Sequence, residues 1–169
     1  MKLLATIKPE DVDGNSPAFD YTTFKPRTAV RAIVFDDTKV ALIRVGKQGY
    51  YMLPGGGVEN EEIITGLRRE ILEELGCEIE ITGELGSVVT YMDRWSKKQT
   101  DYGYVAKKIG DAAGIARTAF ESSEGHEIVW AAKLAEAIRL VETATPQNRD
   151  GKLVRTRDLL LLRAVMPHK

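Results

Sequence analysis

Two rhythms of apolar and polar residues run along this chain. Residues 28–35 (TAVRAIVF) are β-branched and apolar and stop at Asp36-Asp37, a turn pair. Residues 39–45 (KVALIRV) repeat that character, so the two segments predict a β-hairpin with a short turn. Residues 46–49 turn again, and residues 50–53 predict a short strand that runs into Pro54 and three glycines. Over residues 61–75 the period becomes helical: Ile64, Leu67, Ile71 and Leu75 form one stripe, and Gly76 is the stop. Residues 78–91 read as a strand broken by Gly83 and Gly86 and then another strand. A polar loop over 92–98 leads to a strand over 99–109, and 110–125 is the least regular stretch, a loop around a short helix. A strand over 126–131 precedes an amphipathic helix over 133–142, with Leu134, Ile138 and Val141 on one face. Pro146 and Asn148 mark a turn, and a helix over 151–165 carries Leu159 to Leu162, which is either core or a homodimer contact. Ahead of all this, residues 1–27 read as an N-terminal arm. It has a short strand over 1–7, turn signals over 8–17, and three loosely alternating aromatics, Phe19, Tyr21 and Phe24, expected to pack on the sheet, the alternative being that they flank a base-binding pocket.

Composition narrows the picture. At 169 residues the expectation is one domain, residues 28–169, preceded by the arm. A hydrophobic fraction of 43% with 29% charged residues suits a soluble globular protein. A formal net charge of −1 builds in no general attraction to nucleic acid or to a membrane surface. Cys77 is the only cysteine, which rules out an intramolecular disulfide and a zinc cluster. No apolar run approaches a membrane span, and the first residues turn polar too soon for a signal peptide, so a cytoplasmic protein is expected.

The candidate chemistry sits on the first helix. Glu70, Glu73 and Glu74 are spaced i, i+3 and i+4 and share one face. Carboxylates this close repel, and a bound divalent cation reverses that sign. Hard oxygen donors suit Mg²⁺ or Mn²⁺. An acidic helix by itself is usually a solvated face. Here the surroundings argue otherwise. Gly55 is followed, after five intervening residues, by Glu61. Arg69-Glu70 comes next, then the aliphatic Ile71, then Glu73-Glu74, and Gly76 closes the run. Every fixed position of the Nudix box is filled, and the segment closely resembles the Nudix hydrolase family. Its one soft departure is Cys77, where the family usually has an aliphatic residue.

The resemblance covers residues 28–141 and includes Trp130 and the helix after it. It implies an α/β fold, an α/β/α sandwich with a mixed curved sheet between the box helix and the later helices. It implies hydrolysis of a phosphoanhydride in a nucleoside diphosphate derivative, a small-molecule nucleotide substrate, and Mg²⁺ or Mn²⁺ as cofactor. By position, the Gly55 carbonyl joins Glu70, Glu73 and Glu74 in the metal shell, while Arg69 pairs with Glu61 and ties loop to helix as scaffold. Glu70 is the box residue expected to orient or deprotonate water. Family members often add a glutamate from beyond the box, and Glu121 or Glu124 matches by place. A nucleotide-sensing or binding module without turnover is the alternative, against which the intact box argues. Isomerase relatives need a well-placed cysteine, which Cys77 is not. Residues 91–95 hold no proline of the kind that marks ADP-ribose hydrolases, so the substrate stays open. Tyr50, Tyr51 and Trp95 are candidates for base stacking or plain packing. Arg94, Lys97 and Lys98 either meet phosphates or form a solvated loop. His126 is expected to be structural.

Overall fold

A computed structural model describes residues 1–14, 16–111 and 123–165. The strands are β1 (Leu3–Ile7), β2 (Lys25–Asp36), β3 (Lys39–Val45), β4 (Tyr50–Met52), β5 (Cys77–Met92), β6 (Lys97–Asp111) and β7 (His126–Ala131). The helices are α1 (Pro9–Val12), α2 (Ile63–Leu75), α3 (Leu134–Thr143) and α4 (Arg149–Ala164). All seven strands join one mixed sheet in the order β1-β5-β6-β2-β3-β4, with β7 also on β3. β1 runs parallel to β5 and β2 parallel to β6, and the other pairings are antiparallel.

The central strands are buried on both faces, which explains their nearly unbroken apolar runs. Alternate residues go to opposite layers. Val30, Ala32 and Val34 of β2 pack with Leu67, Ile71 and Leu75 of α2. Ile33 of β2 and Val40 and Leu42 of β3 pack with Val141 of α3 and Leu153, Leu161 and Leu162 of α4. This is an α/β/α sandwich. The leucine run of α4 therefore belongs to the core: Leu161 and Leu162 are fully buried, and Leu159 and Leu160 pack against the same cluster. Among the described residues no helix is long and apolar enough to cross a membrane.

Several elements differ from the sequence expectation. β5 is one strand and not two. It passes Gly83 and Gly86 through register shifts against β6, so the glycines mark bulges in a continuous strand. Gly86 has φ 132°, and a Cβ there would stand 2.7 Å from the Lys2 carbonyl, so the bulge also lets β1 approach. The turn signals after β1 enclose a short helix, α1. α2 begins at Ile63, two residues later than expected, because Glu61 belongs to the loop and its carboxylate is turned to Arg69. α4 begins earlier than expected, at Arg149, because the Asn148 side chain caps it by accepting from the Gly151 amide at 2.8 Å. The aromatics of the first 27 residues do pack on the sheet. Tyr21 lies 4.6 Å from Tyr91 of β5, ring centre to ring centre, with Phe24 beside it, and its hydroxyl donates to Glu10.

One irregularity positions the site. The β2–β3 hairpin pairs only at Phe35 with Val40 and Asp36 with Lys39, after which the strands part. The freed edge of β2 is taken by the Gly-rich loop. The Val30 amide donates to Gly56, the Ala32 amide to Pro54, and the Val58 amide to Thr28. Buried backbone groups need partners, so this splaying fixes where the loop lies.

Candidate active site

The loop of residues 53–62 is held by three contacts, one to β2 and two to α2. Gly55 has φ 131°, a backbone open to glycine, and a Cβ there would collide with the Val30 carbonyl. Its amide donates to Glu74 Oε2 at 2.7 Å, and its carbonyl accepts from Arg31 Nη1. Arg69 provides the third contact. Its Nη2 reaches Glu61 Oε1 at 2.7 Å and the Gly57 carbonyl at 3.0 Å, while Nη1 reaches Glu70 at 3.0 Å and Glu73 at 3.3 Å. One planar fork serves four acceptors, which suits arginine and no other cation.

The three box glutamates have different surroundings. Glu74 is buried, with its carboxylate on the Gly55 amide. Glu70 is half-buried, and its carboxylate occupies the space where a side chain at position 56 would stand. Burial pushes the Glu70 carboxyl above the usual range, partly offset by Arg69. Glu73 is the most open of the three. Among the described residues no three acidic, histidine or cysteine side chains converge into a ready-made cation site. The reason is visible: Arg69, a neighbouring cation, draws Glu70 and Glu73 to itself, and Glu74 turns to the backbone.

Glu121 lies outside the described residues. Glu124 lines a cavity whose lining includes none of the box glutamates. It accepts from Gln48 Nε2 at 2.9 Å, and the cavity, of about 200 Å³, is shared with Tyr50, Trp95, His126 and Asp150. Burial raises the Asp150 carboxyl and the Tyr50 hydroxyl. An adjoining cavity of about 240 Å³ shares Met92 and Trp95 and adds Arg27, Lys97 and Gln99. Trp95 is half exposed, and its ring carries Arg94 at 4.8 Å; Tyr51 packs against the α3–α4 core. Lys98 lies over Tyr91 and lines neither cavity. Cys77 is buried among apolar side chains.

Sequence reasoning missed a buried ionic network between the sheet and α4. Arg31 Nε reaches Asp101 at 3.0 Å, and Arg157 reaches Asp101 at 3.4 Å and Asp158 at 2.7 Å. Asp158 also accepts from the Leu53 amide at 2.9 Å, so the network anchors the start of the Gly-rich loop. Burial alone would raise the Asp101 carboxyl, but Arg157 and Arg31 outweigh it and hold it low. The available signal was Arg31 itself, a lone charge inside an apolar strand, since such residues are buried only when paired.

The NUDIX domain family model matches residues 25–151. The chain belongs to the NUDIX family. With that membership it is a hydrolase acting on phosphoanhydride bonds. Solved structures agree on the fold. A NUDIX hydrolase from Nitrosomonas europaea is 18% identical with a TM-score of 0.57, covering 78% of this chain and 88% of its own. A UDP-X diphosphatase is 19% identical with a TM-score of 0.57, covering 95% and 70%. A MutT NUDIX hydrolase from Burkholderia pseudomallei is 25% identical with a TM-score of 0.56, covering 84% and 99%. No curated protein matches the sequence.

Proposed function

We propose that this Nudix protein is a Mg²⁺- or Mn²⁺-dependent pyrophosphohydrolase that cleaves a phosphoanhydride of a nucleoside diphosphate derivative, in the cytoplasm. The observation that supports it most is the double clamp on the Gly-rich loop: Glu74 on the Gly55 amide and Arg69 on both Glu61 and Gly57. The clamp sets the loop beside Glu70 and Glu73.

The donor set fits a hard cation. Glu70, Glu73 and Glu74 offer carboxylate oxygens, and the Gly55 carbonyl keeps a second lone pair beside its bond from Arg31. These four would hold the metal, which supplies charge neutralisation on the phosphates and a more acidic water when bound. The chain's own residues do the rest. Glu70, half-buried and more basic than an ordinary glutamate, orients water or takes its proton. Glu121 or Glu124 is the alternative base. Arg69 keeps the glutamates on one side of the helix. Trp95, at the shared wall of the two cavities, is the stacking surface for a base.

Phosphate release tests this. Purified protein with Mg²⁺ is assayed over nucleoside triphosphates, oxidised nucleotides, ADP-ribose, nucleotide sugars and dinucleoside polyphosphates, with Glu73→Gln in parallel. Turnover of one class that needs metal and disappears in the variant is the expected result. Nucleotide binding by calorimetry with no turnover anywhere would replace the enzyme with a binding module.

A further inference from the structure

Among the described residues, three neighbouring guanidinium groups, from Arg27, Arg31 and Arg157, are matched by two directly bonded carboxylates, from Asp101 and Asp158, with Glu70 acting on Arg27 only through space. Both carboxylates are already engaged. Asp101 takes Arg31 and Arg157, and Asp158 takes Arg157 and the Leu53 amide. Arg27 is left with a neutral partner: it donates to the side-chain oxygen of Gln99. A half-buried cation hydrogen-bonded only to an amide is poorly compensated. Burial and the nearby Arg31 both push its guanidinium toward the neutral form.

Arg27 also lies at a junction. Its Nη2 would be 2.7 Å from a Cβ at position 57, so Gly57 gives the guanidinium its room against the box loop. On the other side it lines the 240 Å³ cavity together with Lys97, Gln99, Met92 and Trp95. Lys97 makes no ion pair among the described residues, and no carboxylate belongs to that wall. The adjoining cavity past Trp95 contains Glu124 and Asp150 together with Arg94, which pairs with Asp150, and His126. Charge of both signs therefore lies on that side of the indole, whereas the Arg27 side carries cations alone.

We infer that Arg27 and Lys97 form an anion subsite that receives a phosphate of the substrate beside the box loop. The assignment rests on the hydrolase reading only for the word substrate; the subsite itself is a matter of charge and space. An anion there completes the charge balance of the Arg27 side and gains bidentate hydrogen bonds from a planar fork. Arg27 is also in register with the loop. From it an unbroken chain of hydrogen bonds runs through Gln99 and Asp101 to Arg31 and on to the Gly55 carbonyl. Arg31 and Asp101 are positioning residues, whereas Arg27 and Lys97 touch the anion.

Inorganic pyrophosphate is the probe. It is titrated calorimetrically into the full chain in EDTA, for wild type, Arg27→Gln, Arg27→Lys, Lys97→Gln and Lys98→Gln. Wild type binds. Arg27→Gln binds about tenfold more weakly or worse, Arg27→Lys falls between, and Lys97→Gln loses several-fold, in the range expected of charge-assisted hydrogen bonds, about tenfold per 1.4 kcal/mol. Lys98→Gln binds as wild type, because Lys98 lies over Tyr91 and lines neither cavity. Absence of binding by wild type, or wild-type affinity in either Arg27→Gln or Lys97→Gln, overturns the subsite. Should Arg27→Gln fail to fold, Lys97→Gln decides on its own. The hydrolase reading fails separately, by absent turnover with Mg²⁺, and leaves this titration intact. Should turnover be found, Arg27→Gln raises KM with kcat nearly kept if phosphate binding is all it supplies.

Discussion

Glu74 accepts a 2.7 Å hydrogen bond from the amide of Gly55, joining the last box glutamate to the residue that opens the box. The contact gives Glu74 two jobs that substitution can separate. Glu74→Gln keeps an acceptor for the buried amide, whereas Glu74→Ala leaves that amide unsatisfied at a cost of about 1–3 kcal/mol. Both variants remove the carboxylate charge. The expected outcome is that both lose turnover, but only Glu74→Ala shows a lower denaturant midpoint. Equal stability of the two would show that the amide contact contributes nothing.

The buried network under the loop should dominate stability. Asp101→Ala leaves Arg31 without its carboxylate and Arg157 with Asp158 alone, and removing one partner of a buried pair costs about 3–5 kcal/mol. The pH dependence follows from the depressed carboxyl of Asp101. A group whose folded pKa lies below its unfolded value contributes stability above the unfolded value, about 4 for aspartate, and loses it as pH falls through the folded one. Denaturant midpoints followed from pH 7 downward should therefore drop below about pH 4. Asp101→Asn should start lower at pH 7 and fall less steeply in acid.

Glu70 has the opposite sign. Burial raises its carboxyl, so the charged form is disfavoured in the folded state. The favourable contribution is complete below the unfolded pKa and disappears as pH rises through the folded one. Glu70→Gln should then melt no lower than wild type at neutral pH in EDTA, while losing turnover in Mg²⁺. Calorimetric melting at pH 4 and pH 7.5 checks it: any advantage of the variant belongs to the higher pH alone. A functional carboxylate that the fold would be better without is the usual stability–activity conflict.

Much of this was legible in the linear chain, for particular reasons. β3 and β7 were read within a residue because their apolar runs are bounded by turn residues. The stripe Ile64, Leu67, Ile71 and Leu75 gave α2 and its buried side, though Ile64 proves partly exposed. Gly83 and Gly86 misled, since a glycine that admits a bulge looks in sequence like one that ends a strand. The site was half legible. The box spacing marks Glu61, Arg69, Glu70, Glu73 and Glu74 because they lie within one local segment. Arg27, Asp101 and Arg157 come from three distant segments, and only the sheet register and α4 packing bring them together. Arg31 was visible as an anomaly, but its partners were not.

Arg69 sets the terms of metal dependence. It holds both Glu70 and Glu73, so a divalent cation must compete with a guanidinium for the same oxygens. Binding to the folded state alone raises stability by RT ln(1 + [L]/Kd), about 2.7 kcal/mol at a hundred times Kd. Mg²⁺ or Mn²⁺ should therefore raise the melting temperature of wild type in a saturating fashion, and EDTA should reverse it and stop turnover. Glu73→Gln should shorten the shift by removing a donor. Arg69→Lys should act in the other direction on metal and against the fold. A lysine cannot reach Glu61, Gly57, Glu70 and Glu73 at once, so the glutamates are released while the loop loses its tie to α2. The expected result is a lower starting melting temperature with a larger increment on adding Mg²⁺. An increment smaller than that of wild type would mean that Arg69 organises the glutamates for the cation and does not compete with it.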